Sequence, residues 1–175
     1  RDKMFYQKMW VAGARGVLFR FEPTDPKIYK EMRPNADYAD RMEHLRFLKE
    51  IGYIMATGPL IGLPGQTAET LADDLLLIRG SGAFMVSMGP LIAHPDTPLA
   101  GAASVPASLV RKMIVAARLV MPRARIPITT AMEYLWGDDF RRLALRSGAN
   151  SFMLNLTPAE VRDSYEVYPN KNKLA

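Results

Sequence analysis

The sequence contains no cysteine. A fold stapled by disulfides is therefore excluded, and no thiolate of this chain can hold a metal. Histidine is scarce, with two in 175 residues. One of them, His94, lies near Asp96, but such a pair falls short of the roughly three or four ligands a protein metal site uses, so no metal ligand is expected. His44, on a helical stretch among charges, is expected to face solvent. No apolar run approaches the ~20 residues of a membrane span. The opening Arg1-Asp2-Lys3-Met4 leads into an amphipathic segment rather than a signal core, so the expected setting is cytoplasmic. That segment reads as starting partway through a helix, and a fragment of a longer protein is expected. The 23 Lys and Arg exceed the 18 acids to give +5. Cations and acids interleave, as in Arg41, Glu43, Arg46, Lys49 and Glu50. No basic run carries interleaved aromatics, so neither nucleic acid nor a membrane is expected as a partner.

What the chain does have is a hydrophobic share of 49%, enough for one core and one domain over residues 1–175. Short β-rich runs alternate with longer amphipathic ones. Strands are expected at 17–22, 54–61, 84–92, 126–132 and 151–156. Helices are expected at 38–51, 67–79, 106–121, 138–146 and 158–168. In the first helix Met42, Leu45, Leu48 and Ile51 recur at three-residue spacing and Gly52 supplies a stop. In the second Leu71, Leu75 and Ile78 face inward, and in the third Val110, Met113, Ile114, Ala117 and Val120 do. Thr157, Pro158 and Glu160 form a start signal with a capping box for the last.

The expected class is α/β with parallel strands, apolar on both faces. A (β/α) barrel takes about eight units and ~250 residues. The units here then read as the C-terminal five of an incomplete TIM-like barrel. A doubly wound sheet is the competing architecture. Chemistry gathers at strand ends in both folds. Here the ends carry Arg20 and Glu22, Gly62, His94 and Asp96, Thr129 and Thr130, and Asn155. Polar groups at every end suit a ring around one pocket better than a single switch point.

Arg20 and Glu22 lie two apart and would share one strand face. Buried there, they must pair or bind a charged ligand. Arg41 could complete the cluster. Glu22 would suit an ammonium and an arginine a carboxylate, as in an amino acid; a structural ion pair at the barrel mouth is the plainer alternative. The stretch Gly58-Pro59-Leu60-Ile61-Gly62-Leu63-Pro64-Gly65-Gln66-Thr67 allows close backbone approach before a helix. It lacks the Lys of a phosphate-binding Walker loop and the G-x-G-x-x-G spacing, and an ordinary βα turn is the plainer explanation of it. Thr129, Thr130 and Asn155 offer uncharged hydrogen-bonding groups, and Tyr165 and Tyr168 share a helix side. Core and rim packing is the alternative use of all of them. The 11 methionines read as core filler.

In order, these pieces resemble the C-terminal half of the biotin-synthase-like radical-SAM enzymes, and within them the HydE-type maturases of FeFe hydrogenase. The matching pieces are Arg20-Phe21-Glu22 with Asp25-Pro26, Arg33-Pro34 and Arg41; Ile61-Gly62-Leu63-Pro64-Gly65-Gln66-Thr67; and Leu71-Ala72-Asp73-Asp74-Leu75-Leu76. They continue with Met85, Gly89-Pro90, His94-Pro95-Asp96-Thr97-Pro98, Pro127, Thr129-Thr130-Ala131, Gly148-Ala149-Asn150, Asn155-Leu156-Thr157-Pro158, Tyr165 and Tyr168-Pro169. The resemblance implies a barrel that cleaves S-adenosylmethionine (SAM) reductively at a 4Fe–4S cluster, whose cysteine ligands would lie outside this chain. It implies that Glu22 and Arg41, with Arg20 beside them, hold the methionyl end of SAM, and that 58–62, with Gly58 and Gly62, lies near the adenosine. Met85, Thr129, Thr130, Tyr165 and Tyr168 would line the cavity for a small molecule or small iron complex, and other hydrogenase maturases would be partners. The chain departs from the pattern at Phe21, where the family has His, and at Glu133-Tyr134-Leu135-Trp136, where it has Gly. Two alternatives remain: a sister radical-SAM activity such as a methylornithine-synthase-type carbon-skeleton mutase, and a non-catalytic α/β nucleotide- or anion-binding module.

Overall fold

The computed structural model describes residues 3–154 and 156–164. Helix α1 (Lys3–Val11) leads into strand β1 (Gly16–Leu18), followed by α2 (Pro26–Met32), α3 (Tyr38–Ile51), β2 (Ile54–Thr57), β3 (Leu60–Ile61) and α4 (Ala68–Ser81). Then come β4 (Met85–Val86), β5 (Gly89–Pro90), α5 (Ala107–Val120), β6 (Pro127–Ile128), α6 (Thr130–Arg146), β7 (Ser151–Phe152) and a 3₁₀ turn over Ala159–Ser164. Among the described residues no helix is long and apolar enough to cross a membrane.

All strand pairs are parallel. Leu18 stands opposite Ala56, and Ala56 opposite Met85, in a β1-β2-β4 sheet. A bridge from Met85 to Arg125 joins β4 to the segment entering β6, and β6 pairs with β7. The extended segments thus follow one another in space in chain order. A doubly wound sheet reverses its order at a switch point; this one does not, and the arrangement is an arc of a (β/α) barrel. That also removes the architecture on which the nucleotide- or anion-binding module rested.

Local chemistry explains the helix limits. Asp37 caps α3 by accepting from the Asp40 amide, and Gly52 closes it at φ 99°. Thr67 and Thr70 form a reciprocal capping box on α4. The main core lies between the strands and the outer helices: Val86, Ile126 and Ile128 meet Leu75, Ile78, Val110, Ile114 and Ala117. Each fully buried Ile, Leu or Val there is worth roughly 1.5–3 kcal/mol. A second cluster joins Leu45, Leu48, Tyr53 and Met55 to Trp10, Val17 and Phe19.

Several expectations from sequence are corrected. The expected strand 17–22 stops at Leu18, and Glu22, at its expected end, takes a left-handed φ of 72°. Strand 54–61 is two pieces, interrupted at Gly58-Pro59, and 84–92 is likewise β4 and β5. Strand 126–132 ends at Ile128: Thr129 becomes the N-cap and Thr130 the first residue of α6. The β-branched Ile126, Ile128, Thr129 and Thr130 favour a strand locally, but the helix wins. Gly137, at φ 62° and ψ −157°, breaks α6 and makes its second half read as a separate helix. The strand expected at 151–156 is only Ser151–Phe152, and the helix expected from 158 is a 3₁₀ turn as far as Ser164. Helix α2, which Asp25 caps through the Lys27 and Ile28 amides, has no counterpart among the expected elements. His44 is half-buried rather than solvent-facing: its ring stacks on Phe19 at 6.3 Å and 7°, with Nδ1 3.3 Å from the Tyr6 hydroxyl.

Candidate functional site

The site builds from the end of β1. Phe19 continues the ladder by donating its amide to the Ala56 carbonyl, and the chain then leaves the sheet. Phe21 is fully buried in the main core, so Arg20 and Glu22 on either side of it project elsewhere. They do not share a strand face; the left-handed turn at Glu22 brings them together. Arg20 Nε stands 3.7 Å from Glu22 Oε2. Arg33, which follows α2, donates from Nη2 to Glu22 Oε1 at 3.1 Å. Glu22 therefore has a cation on each side, with its side chain 17% exposed.

Arg41 joins the cluster differently from the simple pairing expected. It donates to the Arg20 carbonyl, and its guanidinium lies 4.0 Å from the centre of the Phe19 ring. Among the described residues no carboxylate lies within ion-pair reach of it. Burial pushes both Arg20 and Arg41 below the ordinary arginine value, and Glu22 opposes this in each. Arg20 also donates from Nη2 to the Pro59 carbonyl, tying the cluster to the glycine-rich segment. The Nε atoms of Arg20 and Arg41 are both buried without a hydrogen-bond partner.

That segment is shaped by contact. A Cβ on Gly58 would meet the Ser87 carbonyl oxygen at 2.3 Å, and Gly62 adopts φ 92°. Gln66 ties the turn with three bonds: Oε1 accepts from the Gly62 and Leu63 amides at 2.7 and 2.9 Å, and Nε2 donates to the Leu60 carbonyl at 2.9 Å.

A cavity of about 380 Å³ opens at the strand ends. Its lining brings Arg20 together with Thr129 and Thr130, among Leu18, Ser87 and Met153. Thr129 is buried, and its Oγ1 has no hydrogen-bond partner. Met85 is half-buried on β4 and is not among the lining residues. Asn155, Tyr165 and Tyr168 lie outside the described residues. His94 serves its own loop, accepting on Nδ1 from the Asp96 amide at 3.2 Å. Among the described residues no group of three or more metal-ligating side chains gathers.

Sequence reasoning missed Arg33 as the second partner of Glu22, Phe19 as the platform of Arg41, and the Gln66 clamp. It also missed Asp74, which lies fully buried beneath the Glu22 turn. Helical spacing could have found that last residue: Asp74 falls three after Leu71 and four before Ile78, on the inward face.

The Biotin and Thiamin Synthesis associated domain matches residues 87–172. The FeFe hydrogenase maturase subunit HydE of Thermotoga maritima is 41% identical over 167 residues, covering 95% of this chain and 48% of that protein. The chain belongs to the radical-SAM family. Biotin synthase of Prochlorococcus marinus is 30% identical over 134 residues, covering 73% of this chain and 37% of that one. The solved structure of methylornithine synthase PylB superposes with a TM-score of 0.71 at 26% identity, over 86% of this chain and 44% of its own. The radical-SAM chain thus spans about half the length, or less, of the curated relatives it matches. The partial barrel it forms is the fold of its structural neighbours.

Proposed function

We propose that the protein carrying this chain is a radical-SAM enzyme of the HydE maturase type, acting in assembly of the FeFe-hydrogenase cofactor. The observation that carries this reading is the cluster of Arg20, Glu22 and Arg41, whose Arg20 also lines the strand-end cavity. It suits the methionyl end of SAM. The Glu22 carboxylate, incompletely shielded from solvent, takes the ammonium, and Arg41 takes the carboxylate with a guanidinium whose Nε has no protein partner. Arg20 lies beside them and balances Glu22. The close-packed backbone at Gly58 and the turn at Gly62 form a wall for the adenosine.

A 4Fe–4S cluster, when bound and reduced, would supply the electron for reductive cleavage of SAM. This cysteine-free chain does not fit the cluster, whose ligands would lie outside it. The chain's own part is to fix the ligand's charged end and to line a cavity away from bulk water. Thr129 and Thr130, with Met85, Tyr165 and Tyr168, are proposed to line the substrate side. The substrate is a small molecule or small iron complex, the setting is cytoplasmic, and the partners are other hydrogenase maturases. A methylornithine-synthase-type rearrangement is the second reading, favoured by the superposition with PylB. The cavity is less suited to a second amino acid, since Arg20 is the one charged side chain among its described lining residues.

The test is anaerobic reduction of the full-length protein with SAM. Formation of 5′-deoxyadenosine is expected; its absence from protein with a loaded cluster would overturn the enzyme reading.

A further inference from the structure

Glu22 is the one described non-glycine residue with positive φ. A left-handed conformation is costly for a residue with a Cβ, so it persists only when its neighbours over-determine it. On one side Phe21 is buried in the main core. On the other, Pro23 is buried and Thr24 is tied down. The main tie is one oxygen: Asp74 Oδ1 accepts from both the amide and the hydroxyl of Thr24, each at 2.7 Å, with a longer contact of 3.5 Å from the hydroxyl to the Thr70 carbonyl. Asp74 projects from the middle of α4 and is fully buried, and its Oδ2 has no hydrogen-bond partner. A buried, half-satisfied acid in the apolar face of a helix destabilises the fold unless its bonds secure something else.

We propose that Asp74 is a positioning residue for SAM: through Thr24 it holds the Glu22 turn in the conformation that sets the carboxylate between Arg20 and Arg33. This rests on the SAM-site reading above. The electrostatic setting fits a fixed clamp rather than a second ligand. The groups facing Asp74 are the Tyr38 phenol from α3, Asp25 before α2, and Asp73 on its own helix, and no cation is among them. Burial, with Asp74 and Asp25 adding to it, pushes the Tyr38 phenol up, so it stays neutral beside the acid.

Calorimetric titration of the full-length protein with SAM tests this. Asp74→Ala is expected to weaken binding about tenfold, the size of a lost charge-assisted hydrogen bond. Thr24→Val is expected to act in the same direction by several-fold. Asp74→Asn, whose side-chain oxygen still accepts from Thr24, is expected to bind within about threefold of the parent. Arg118→Ala, which loosens the opposite part of the barrel arc, is expected to leave affinity unchanged. Parent-like binding by Asp74→Ala and Thr24→Val, with Glu22→Gln weakened, would overturn the clamp and leave the SAM site standing. Parent-like binding by Glu22→Gln would overturn the SAM site itself. If Arg118→Ala loses as much affinity as Asp74→Ala, or if Asp74→Asn does, the effect is loss of stability and the proposal fails. If Asp74→Ala does not fold, Thr24→Val decides.

Discussion

Gly58 passes so close to Ser87 that a Cβ on it would lie 2.3 Å from the Ser87 carbonyl oxygen and 2.6 Å from its carbonyl carbon. The obstacle is backbone on a neighbouring strand run, which cannot swing aside as a side chain can. This contact fixes how near the glycine-rich segment lies to the β4–β5 run, and hence the depth of the strand-end cavity, which Ser87 lines.

Gly58→Ala is therefore expected to destabilise the full-length protein by about 1–3 kcal/mol through overpacking, and to weaken SAM binding as the segment shifts. A thermal melt with a SAM titration checks both. An unchanged melting temperature would mean that the two runs separate freely.

Arg118 organises the far end of the arc. Its guanidinium donates to the carbonyls of Gly148, Pro122 and Ala124 at 2.9, 2.7 and 3.0 Å, joining the end of α5 to the turns that lead into β6 and β7. Arg118→Ala is expected to cost about 2–3 kcal/mol, as loss of hydrogen bonds from a charged donor. Arg118→Lys should recover only part of it, since one ammonium lacks the planar fork. Melts of the two variants would show this ordering; equal stability of Lys and Arg would contradict it.

The main course of the chain was legible because the helical signals are local. The face of α5 through Val110, Met113, Ile114 and Ala117 is buried as the spacing predicts, and Gly52 ends α3 in the left-handed conformation that a glycine stop implies. The strands were overdrawn. A β-branched run such as Ile128-Thr129-Thr130 carries the same local preference whether it continues a strand or caps a helix, and only the tertiary fold decides. At the site, charge and spacing pointed to Arg20, Glu22 and Arg41. The real pairing of Glu22 with Arg33 depends on a positive φ at Glu22 and on α2, neither of which has a hydrophobic period to reveal it.

Asp74 carries a pH signature. Burial, outweighing the two bonds from Thr24, raises its carboxyl from 3.8 to about 6. The folded value lies above the unfolded one, so the folded state binds the proton more tightly. The contribution to stability is fully present below the unfolded value and is lost as pH rises through about 6. Asp74→Asn, neutral throughout, removes this dependence. Its melting temperature relative to the parent should rise between about pH 4 and about pH 7 and level off above. A difference constant across that range would show that Asp74 does not titrate there.

The site is tested most directly by calorimetric titration of SAM into the full-length protein, parent against Glu22→Ala. Loss of the charge-assisted bond to the ammonium is expected to weaken binding by about 1–3 kcal/mol, roughly five- to 150-fold. Unchanged affinity in a folded Glu22→Ala protein would remove Glu22, and with it the Arg20 and Arg41 cluster, from the SAM site.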